Sequence, residues 1–141
     1  MKKTLSSALM ILFASVCIIC LISCNKDVDK PTWENALYTE NKEFGNGQRT
    51  AVVEVKVEEH LVTFTLHTDK DTVGAALIEH GLISGDDSEF GLYIKKVNGI
   101  TADFDEDQTY WAFYINGEYA MTGVDTTKID ENAVYRLEYS K

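Results

Sequence analysis

The sequence predicts an α+β domain in which a mixed β-sheet wraps one helix, preceded by a signal peptide and a flexible tether. Three observations predict this fold class: segments with the period of two that marks half-buried strands, one segment with helical periodicity, and Asn-Gly dipeptides that follow apolar runs. Because the helix falls between strands along the chain, its apolar stripe is expected to pack on one face of the sheet.

The first two strands are expected at residues 50–58 and 60–68. In the first, Val53, Val55 and Val57 alternate with charged residues, and the second shows the same alternation of apolar and polar positions. Only a short junction separates the two segments. A β-hairpin is therefore predicted here.

The one helix is predicted to begin after Asp71 and Thr72, which supply an N-cap. The apolar stripe follows at the spacing of one helical face: Val73, Ala76, Leu77 and His80. Gly81 then provides a left-handed stop. Residues 83–88 are mostly polar and are expected to form a turn region.

Further strands are expected in the second half of the folded part. They are assigned to residues 90–97, 110–115, 118–121 and 133–139. The dipeptides Asn98-Gly99 and Asn116-Gly117 each follow one of these runs and predict tight hairpins. The order of hairpin, helix and further strands describes a β-grasp-like domain, which is assigned to residues 46–141.

The first 23 residues resemble a lipoprotein signal peptide, with Lys2 and Lys3 before an apolar stretch that is short for a membrane span. Cys24 and the three residues before it resemble the bacterial lipobox, so lipidation of Cys24 is expected. The alternative is an uncleaved anchor helix. Either interpretation makes the domain extracytoplasmic and attached to the cell membrane. Residues 24–45 are then the lipidated cysteine and a flexible tether.

Charge and cysteine content restrict the partners. The chain has 13 Lys and Arg against 23 Asp and Glu, so it lacks the basic surface that nucleic acid requires. A neutral, zwitterionic or cationic partner is favoured. Cys17 and Cys20 fall within the removed signal segment, which leaves no cysteine for a disulfide or a metal site.

No catalytic residue and no metal site is expected. The spacing of the histidines fits no zinc motif: His60, His67 and His80. Asp103, Asp105 and Asp107 imitate the start of a calcium loop, but the glycine and glutamate required further along are missing, so a solvated acidic loop is expected. No serine or acidic pair has the setting of a nucleophile or an acid–base pair. The chain is therefore predicted to be a non-enzyme without a cofactor.

Aromatic residues are dense in the second half. Eight fall within thirty residues: Phe90, Tyr93, Phe104, Tyr110, Trp111, Phe113, Tyr114 and Tyr119. A domain of this size is not expected to bury them all. On the strand that begins at Tyr110, Trp111 and Phe113 share one face, and Tyr110 and Tyr114 share the other. One face is expected to be core, and the second either contacts a ligand or partner or packs its tyrosines at the rim of the core.

Several ordered motifs stand between about residue 63 and residue 141. They are Asp71-Thr72-Val73, Gly91-Leu92-Tyr93-Ile94, Val97-Asn98-Gly99-Ile100, Trp111-Ala112-Phe113-Tyr114-Ile115-Asn116-Gly117-Glu118, Gly123-Val124 and Val134-Tyr135-Arg136-Leu137. Together they resemble the small C-terminal domain of the vitamin B12 carriers transcobalamin and intrinsic factor, and the related bacterial lipoprotein domains of the DUF4430 type. The resemblance implies a β-grasp-like fold. In the carriers this domain caps one face of the corrin ring against a separate helical domain.

Carried over by position, the resemblance implies a ligand-binding site formed by Phe90, Tyr93, Ile94, Trp111 and Phe113, with cobalamin as the candidate ligand. Apolar and aromatic contacts with backbone hydrogen bonds suit a large, flat molecule fringed with amides. The alternative for Trp111 is a place in the core. This chain has only the smaller of the carriers' two domains, so an affinity no better than about micromolar is expected.

The leading hypothesis is a surface-tethered lipoprotein that binds cobalamin or another corrinoid-like ligand in uptake and shares it with a second binding protein or a transporter. The alternative is a module for adhesion or assembly, which recognises a protein or polymer through a sheet edge and a tyrosine-rich face. The two hypotheses differ in whether Phe90, Tyr93 and Trp111 line a concave pocket or spread over a flat face.

Overall fold

The computed structural model describes residues 33–141. The predicted signal peptide at residues 1–23 and the lipidation site at Cys24 lie outside the described residues. Within 33–141, none of the helices combines the length and the apolar character that a membrane crossing requires. Strands and one main helix make up most of this part of the chain, which confirms the α+β class.

The strands form two sheets. In chain order they are β1 (Lys42–Gly45), β2 (Arg49–Val57), β3 (His60–Thr68), β4 (Ile83–Ser88), β5 (Gly91–Val97), β6 (Ile100–Thr101), β7 (Tyr110–Ile115), β8 (Glu118–Tyr119) and β9 (Val134–Ser140). The larger sheet has the order β1-β3-β2-β9-β7-β8, and the smaller has the order β4-β5-β6. Because β1–β3 and β2–β9 are parallel while the other pairs are antiparallel, the larger sheet is mixed, as predicted.

The hairpin of β2 and β3 follows from the alternation of apolar and polar residues. Val53, Val55 and Val57 are buried, and the residues between them remain partly exposed. Val55 stands opposite Val62 across the two strands, so both strands bury the same face. Full burial of such a side chain contributes roughly 1.5–3 kcal/mol. The predicted strands end within one residue of the observed ones.

Helix α1 (Val73–Glu79) begins and ends where the sequence predicts. Thr72 is its N-cap and accepts a hydrogen bond from the backbone N–H of Ala75. His80 is the C-cap, and Gly81 follows in the left-handed conformation with φ of 67°. The helix buries one stripe, made of Val73, Gly74, Ala76 and Leu77.

Residues 83–88, predicted to be a turn region, form strand β4 instead. The strand pairs with β5 along its whole length, with Asp86 opposite Tyr93 and Asp87 opposite Leu92. Ile83 is the one buried residue of β4. The apolar alternation that marks a strand is therefore absent, and backbone pairing to a distant segment makes this strand. β5 and β6 form the tight hairpin predicted at the first Asn-Gly dipeptide.

The described part of the predicted tether, residues 33–45, is packed against the domain, and we refer to it as the N-terminal segment. Trp33 lies in a 3-10 helix (Trp33–Asn35) and stacks on His60, with ring centroids 5.0 Å apart and planes at 4°. Tyr38 N donates to Oδ1 of Asn98 at 3.0 Å, and Asn98 Nδ2 donates to Tyr38 O at 2.8 Å. The boundary predicted after residue 45 is thus corrected: the folded part includes the described segment from Trp33 onward. Composition alone missed it because its contacts join residues far apart in the chain.

The acidic run predicted to be a solvated loop forms a short second helix, α2 (Phe104–Asp107). Asp103 caps it by accepting from Asp105 N at 3.1 Å. Asp107 accepts from Thr109 N at 3.0 Å beyond the helix end. Two of these carboxylates therefore stabilise the local backbone.

The larger sheet has one apolar face and one polar face. The polar face carries ion pairs between β2 and β9: Arg136 Nε lies 2.8 Å from Glu54 Oε2, and Lys56 Nζ lies 3.0 Å from Glu138 Oε1. Half-exposed pairs of this kind contribute about 0–1 kcal/mol each. The apolar face packs helix α1 and the smaller sheet.

Candidate functional site

A pocket of ≈ 260 Å³ opens between strands β5 and β7. Residues from β5, β7, β8 and the segment after β8 line it: Leu92, Tyr93, Ile94, Tyr110, Trp111, Phe113, Tyr119, Ala120, Thr122, Gly123 and Val124. Most of these side chains are apolar or aromatic. The pocket is therefore suited to a ligand with apolar surface.

The β7 wall is formed chiefly by Trp111 and Phe113, which point to the same side of the strand because side chains alternate. They are 7% and 8% exposed, so each belongs to the core and to the pocket at once. On the neighbouring strand β9, Tyr139 packs edge-on against Trp111, and Tyr135 stacks near Phe113 with ring centroids 6.1 Å apart. Both interpretations predicted for Trp111, core and pocket, therefore describe its position.

The indole nitrogen of Trp111 is buried and has no hydrogen-bond acceptor among the residues that the structure describes. A buried donor without an acceptor costs about 1–3 kcal/mol. Burial also raises the pKa of the neighbouring Tyr139 hydroxyl above its ordinary value of 10.0. This wall of the pocket is therefore neutral at physiological pH and retains an unused N–H donor.

The β5 wall is formed by Leu92, Tyr93 and Ile94. Ile94 is buried at 9% exposure, whereas Tyr93 is 38% exposed. Tyr93 therefore presents part of its ring to solvent beside the pocket.

The third wall follows β8 and is fixed by helix α1. Val124 O accepts from Gly74 N at 2.8 Å, and Thr127 O accepts from Val73 N at 2.9 Å. These bonds satisfy two of the free N–H groups at the helix N-terminus. The wall is therefore held to the helix by backbone contacts.

Asp125 ties this third wall to β5. Its Oδ2 accepts from Leu92 N at 3.3 Å, and its Oδ1 is buried without a partner in the described part of the chain. A Cβ atom at Gly91 would lie 2.6 Å from Oδ2, and one at Gly123 would lie 2.7 Å from Oδ1. The carboxylate would therefore have to shift from this position if either neighbour carried a Cβ atom.

Four of the five predicted ligand residues, Tyr93, Ile94, Trp111 and Phe113, lie together in the pocket. The fifth, Phe90, does not line it. It is 89% exposed in the turn between β4 and β5, where its N–H donates to Ser88 Oγ at 3.2 Å.

Sequence reasoning missed the third wall of the pocket altogether. This wall comes from a loop that meets β5 and β7 only in the folded chain. The available signals were the dense aromatic run, which includes Tyr119, and the Gly123-Val124 motif of the family resemblance.

The three histidines lie in separate environments. His60 stacks on Trp33, and His67 Nε2 is 3.8 Å from Glu43 Oε2. His80 caps α1, and its buried Nε2 finds no hydrogen-bond partner among residues 33–141. Nowhere in the described part of the chain do three His, Cys, Asp or Glu side chains gather in a way that would hold a metal ion.

Lys95 neutralises part of the negative charge on the surface near α2. Its Nζ lies 2.9 Å from Asp86 Oδ2 and 3.6 Å from Asp103 Oδ2. The hydrogen bond with Asp86, followed by the charge of Asp103, raises the pKa of Lys95 above 10.5. Two carboxylates of this region are therefore engaged with a cation of the chain itself.

Residues 70–141 match the family described as "Domain of unknown function (DUF4430)". Among solved structures, a candidate metal-binding protein from Ruminococcus gnavus ATCC 29149 is 27% identical, with a TM-score of 0.62 over 67% of this chain and 98% of that chain. Haptocorrin in complex with Cbi (cobinamide) is 18% identical, with a TM-score of 0.53 over 70% of this chain. A search of curated proteins found no match.

The resemblance predicted from the sequence is confirmed by these matches. At 18% identity the likeness to haptocorrin concerns the fold alone, and this chain spans 27% of haptocorrin's length. The Ruminococcus gnavus protein, by contrast, is matched over nearly its whole length. A domain of this kind therefore occurs both within a longer protein and as most of a small one.

Proposed function

This chain belongs to the family described as "Domain of unknown function (DUF4430)", and we propose that it is a binding module whose pocket takes part of a flat, amide-bearing ligand of the corrinoid class. Cobalamin is the candidate ligand, and uptake is the candidate process. The module binds without catalysing a reaction. We also assign the fold to the β-grasp-like class, supported by a larger sheet with β2 and β9 parallel at its centre and a helix after the first hairpin.

One observation carries the proposal: two segments far apart in the sequence converge on one pocket. Tyr93 and Ile94 come from β5, while Trp111 and Phe113 come from β7. Packing of a hydrophobic core between β5 and β7 does not require an open pocket there. The concave arrangement favours a ligand over a flat contact surface.

The chemistry of the walls suits a flat ring with polar edges. The aromatic rings offer apolar faces for stacking, which contribute about 0.5–1.5 kcal/mol per pair beyond the area that they bury. The indole N–H of Trp111 is buried without an acceptor in the described residues, so a ligand carbonyl that reaches it supplies the acceptor that it lacks. The acidic chain disfavours anionic ligands, and the neutral amides of a corrinoid are compatible with this charge.

The size of the pocket limits how much of the ligand is held. A volume of ≈ 260 Å³ lies below the roughly 300–1,000 Å³ typical of sites that enclose a drug-sized molecule. A corrinoid would therefore insert one edge or part of one face and leave the rest exposed. The affinity is expected to be about micromolar or weaker, and a second binding protein or a transporter then takes over the exposed part.

Haptocorrin lends limited support because it is a different protein, in complex with cobinamide, that shares this fold at low identity. The Ruminococcus gnavus relative raises metal binding as another function. Among the described residues no cluster of metal-ligating side chains favours it, so a metal is not part of the proposal.

We further propose that Cys24 carries the lipid that anchors the module to the outer face of the cell membrane. The lipobox-like residues before Cys24 and the apolar stretch that precedes them support this anchor. Mass spectrometry of the chain made in a bacterial host should find Cys24 diacylated and residues 1–23 removed. A Cys24→Ser variant should keep its signal peptide. An unmodified Cys24 in the parent would contradict the anchor.

A second candidate function is contact with a protein or polymer at the cell surface. Phe90 and Met121 favour it because they are 89% and 95% exposed, which is unusual for large apolar side chains. They stand close in sequence to pocket residues, so in this function the macromolecule covers the same side as the pocket. This function predicts that a Phe90→Ala, Met121→Ala double variant loses partner binding and keeps small-ligand binding.

Titration of the purified full-length chain with hydroxocobalamin tests the leading function. Calorimetry should detect binding in the micromolar range, and Trp111→Phe should weaken it because the indole N–H is lost. Trp33→Phe is the matched control, since Trp33 stacks on His60 and does not line the pocket. Absence of heat and of a spectral change for the folded parent at hundreds of micromolar would remove the corrinoid function.

A further inference from the structure

We propose that the backbone of β7 recognises the ligand: an amide of the ligand pairs with the N–H and C=O of Trp111, as a neighbouring strand would. This inference rests on the proposed function, since it concerns the same pocket. It adds the chemical group that is recognised and the backbone atoms that recognise it.

The direction of the Trp111 backbone follows from the residues after it. In an antiparallel strand, the N–H and C=O of one residue point to the same side, and successive residues alternate. Phe113 O accepts from Ala120 N at 2.9 Å, and Ile115 pairs with Glu118 of β8. Two residues before Phe113, Trp111 therefore directs its backbone N–H and C=O toward the β8 side.

Strand β8 is too short to reach Trp111. Its pairing with β7 extends only from Ile115 to Tyr114, and after Ala120 the chain departs to form the third wall of the pocket. None of the hydrogen bonds that residues 33–141 make on this side engages the backbone N–H or C=O of Trp111. Trp111 is therefore a free edge position of the larger sheet.

This free edge faces the pocket. Leu92 and Ile94 of β5 and Tyr119 of β8 line the same pocket as Trp111. More than nine in ten buried backbone polar groups in proteins are hydrogen-bonded to protein or to water, so a ligand group that pairs with this edge takes the place of water there. Partial shielding from water also strengthens a hydrogen bond formed there.

An amide is the group that satisfies both backbone atoms at once. Its carbonyl accepts from Trp111 N, and its N–H donates to Trp111 O. A carboxylate or ester lacks the donor, and a carboxylate is also repelled by a chain with a formal net charge of -10. The fringe of a corrinoid, which is rich in amides, meets this requirement.

Hydrogen exchange of single backbone amides in the full-length chain tests the inference. In the free protein, Trp111 N–H should exchange faster than Ala112 N–H and Tyr114 N–H, which point to the paired β9 side. With hydroxocobalamin at about ten times its Kd, the Trp111 rate should fall about tenfold, because exchange then proceeds through the free fraction. The rates of the two internal controls should change much less.

Two small probe molecules distinguish hydrogen bonding to the β7 backbone from binding of the corrin ring. Acetamide, whose C=O and one N–H lie on the same side of its C–N bond, should slow Trp111 exchange at high millimolar concentration, and methyl acetate, which lacks the N–H donor, should slow it less. If acetamide does so while hydroxocobalamin gives no heat, the inference stands and the corrinoid function fails. If hydroxocobalamin binds with heat but leaves the Trp111 rate unchanged, the inference is overturned and the corrinoid function stands. Equal effects of amide and ester would also overturn the inference.

Discussion

Trp111 meets Tyr139 edge to face, with ring centroids 5.6 Å apart and ring planes at 74°. The two residues stand directly opposite each other on β7 and β9. A pair of this geometry contributes about 0.5–1.5 kcal/mol beyond its buried area. The contact fixes the orientation of the pocket tryptophan from the core side, so the stability of the last strand and the shape of the pocket depend on the same rings.

Tyr139→Phe is expected to reduce the loss of stability at alkaline pH. Burial raises the pKa of the Tyr139 hydroxyl above 10.0, so the unfolded chain releases this proton at a lower pH than the folded chain. The resulting stabilisation is fully present below the unfolded pKa and is lost as pH rises through the folded pKa. Urea unfolding between about pH 9 and 12 should show a smaller decline for the variant. Parallel curves for the two proteins would contradict this.

Asn98→Ala is expected to detach the N-terminal segment and to lower the free energy of unfolding by about 2–4 kcal/mol. Asn98 is fully buried, and its side chain makes two hydrogen bonds with the backbone of Tyr38. Asn116→Ala is the matched control, since both residues precede glycine in a turn and have φ of 49° and 51°. The control should cost about 1–2 kcal/mol. Equal losses in denaturant unfolding would show that the turn conformation, and not the contact with Tyr38, matters.

Gly91→Ala is expected to destabilise the domain more than Gly117→Ala and to distort the third wall of the pocket. Both glycines have positive φ, of 103° and 82°. A Cβ at Gly91 would lie 2.6 Å from Asp125 Oδ2, whereas at Gly117 nothing stands within 4 Å. Conformational strain alone costs about 1–2 kcal/mol, and the collision at Gly91 adds to it. Thermal unfolding measures the difference, and identical midpoints would rule out a tight fit of Asp125.

Tyr119→Ala is expected to weaken hydroxocobalamin binding, while Tyr114→Ala is not. The two rings form an edge-to-face pair with centroids 5.6 Å apart, so either variant loses the same contact within the protein. Only Tyr119 lines the pocket, and the loss of its contact with the ligand should cost about 1 kcal/mol in binding. Isothermal titration of both variants gives the comparison. Equal weakening would indicate an indirect effect through the hairpin.

Local patterns predict much of the fold. The strands β2, β3 and β7 and the helix α1 follow from periodicity and capping, because each buries a continuous apolar stripe. β4 and β1 escaped prediction for one shared reason. They have little apolar periodicity and become strands through backbone pairing with β5 and β3, which lie elsewhere in the chain.

The site is predictable only in part. Trp111 and Phe113 share a strand face by simple alternation, and their neighbourhood with Tyr93 was implied by a family resemblance. Asp125 gave no local signal, since its place between two glycines depends on the folded loop. Phe90 was expected in the site because the family resemblance placed it there, but it lies in the turn between β4 and β5 with its ring in solvent and does not line the pocket.

The most direct test of the binding pocket uses the two tryptophans of the chain as reporters. In a two-dimensional nitrogen–proton spectrum of the full-length protein, Trp33 and Trp111 each give one indole N–H signal. Addition of hydroxocobalamin should shift the Trp111 indole signal progressively and leave the Trp33 signal in place. A titration that moves the Trp33 signal, or that leaves the Trp111 signal unchanged while the ligand binds elsewhere, would contradict the proposed pocket.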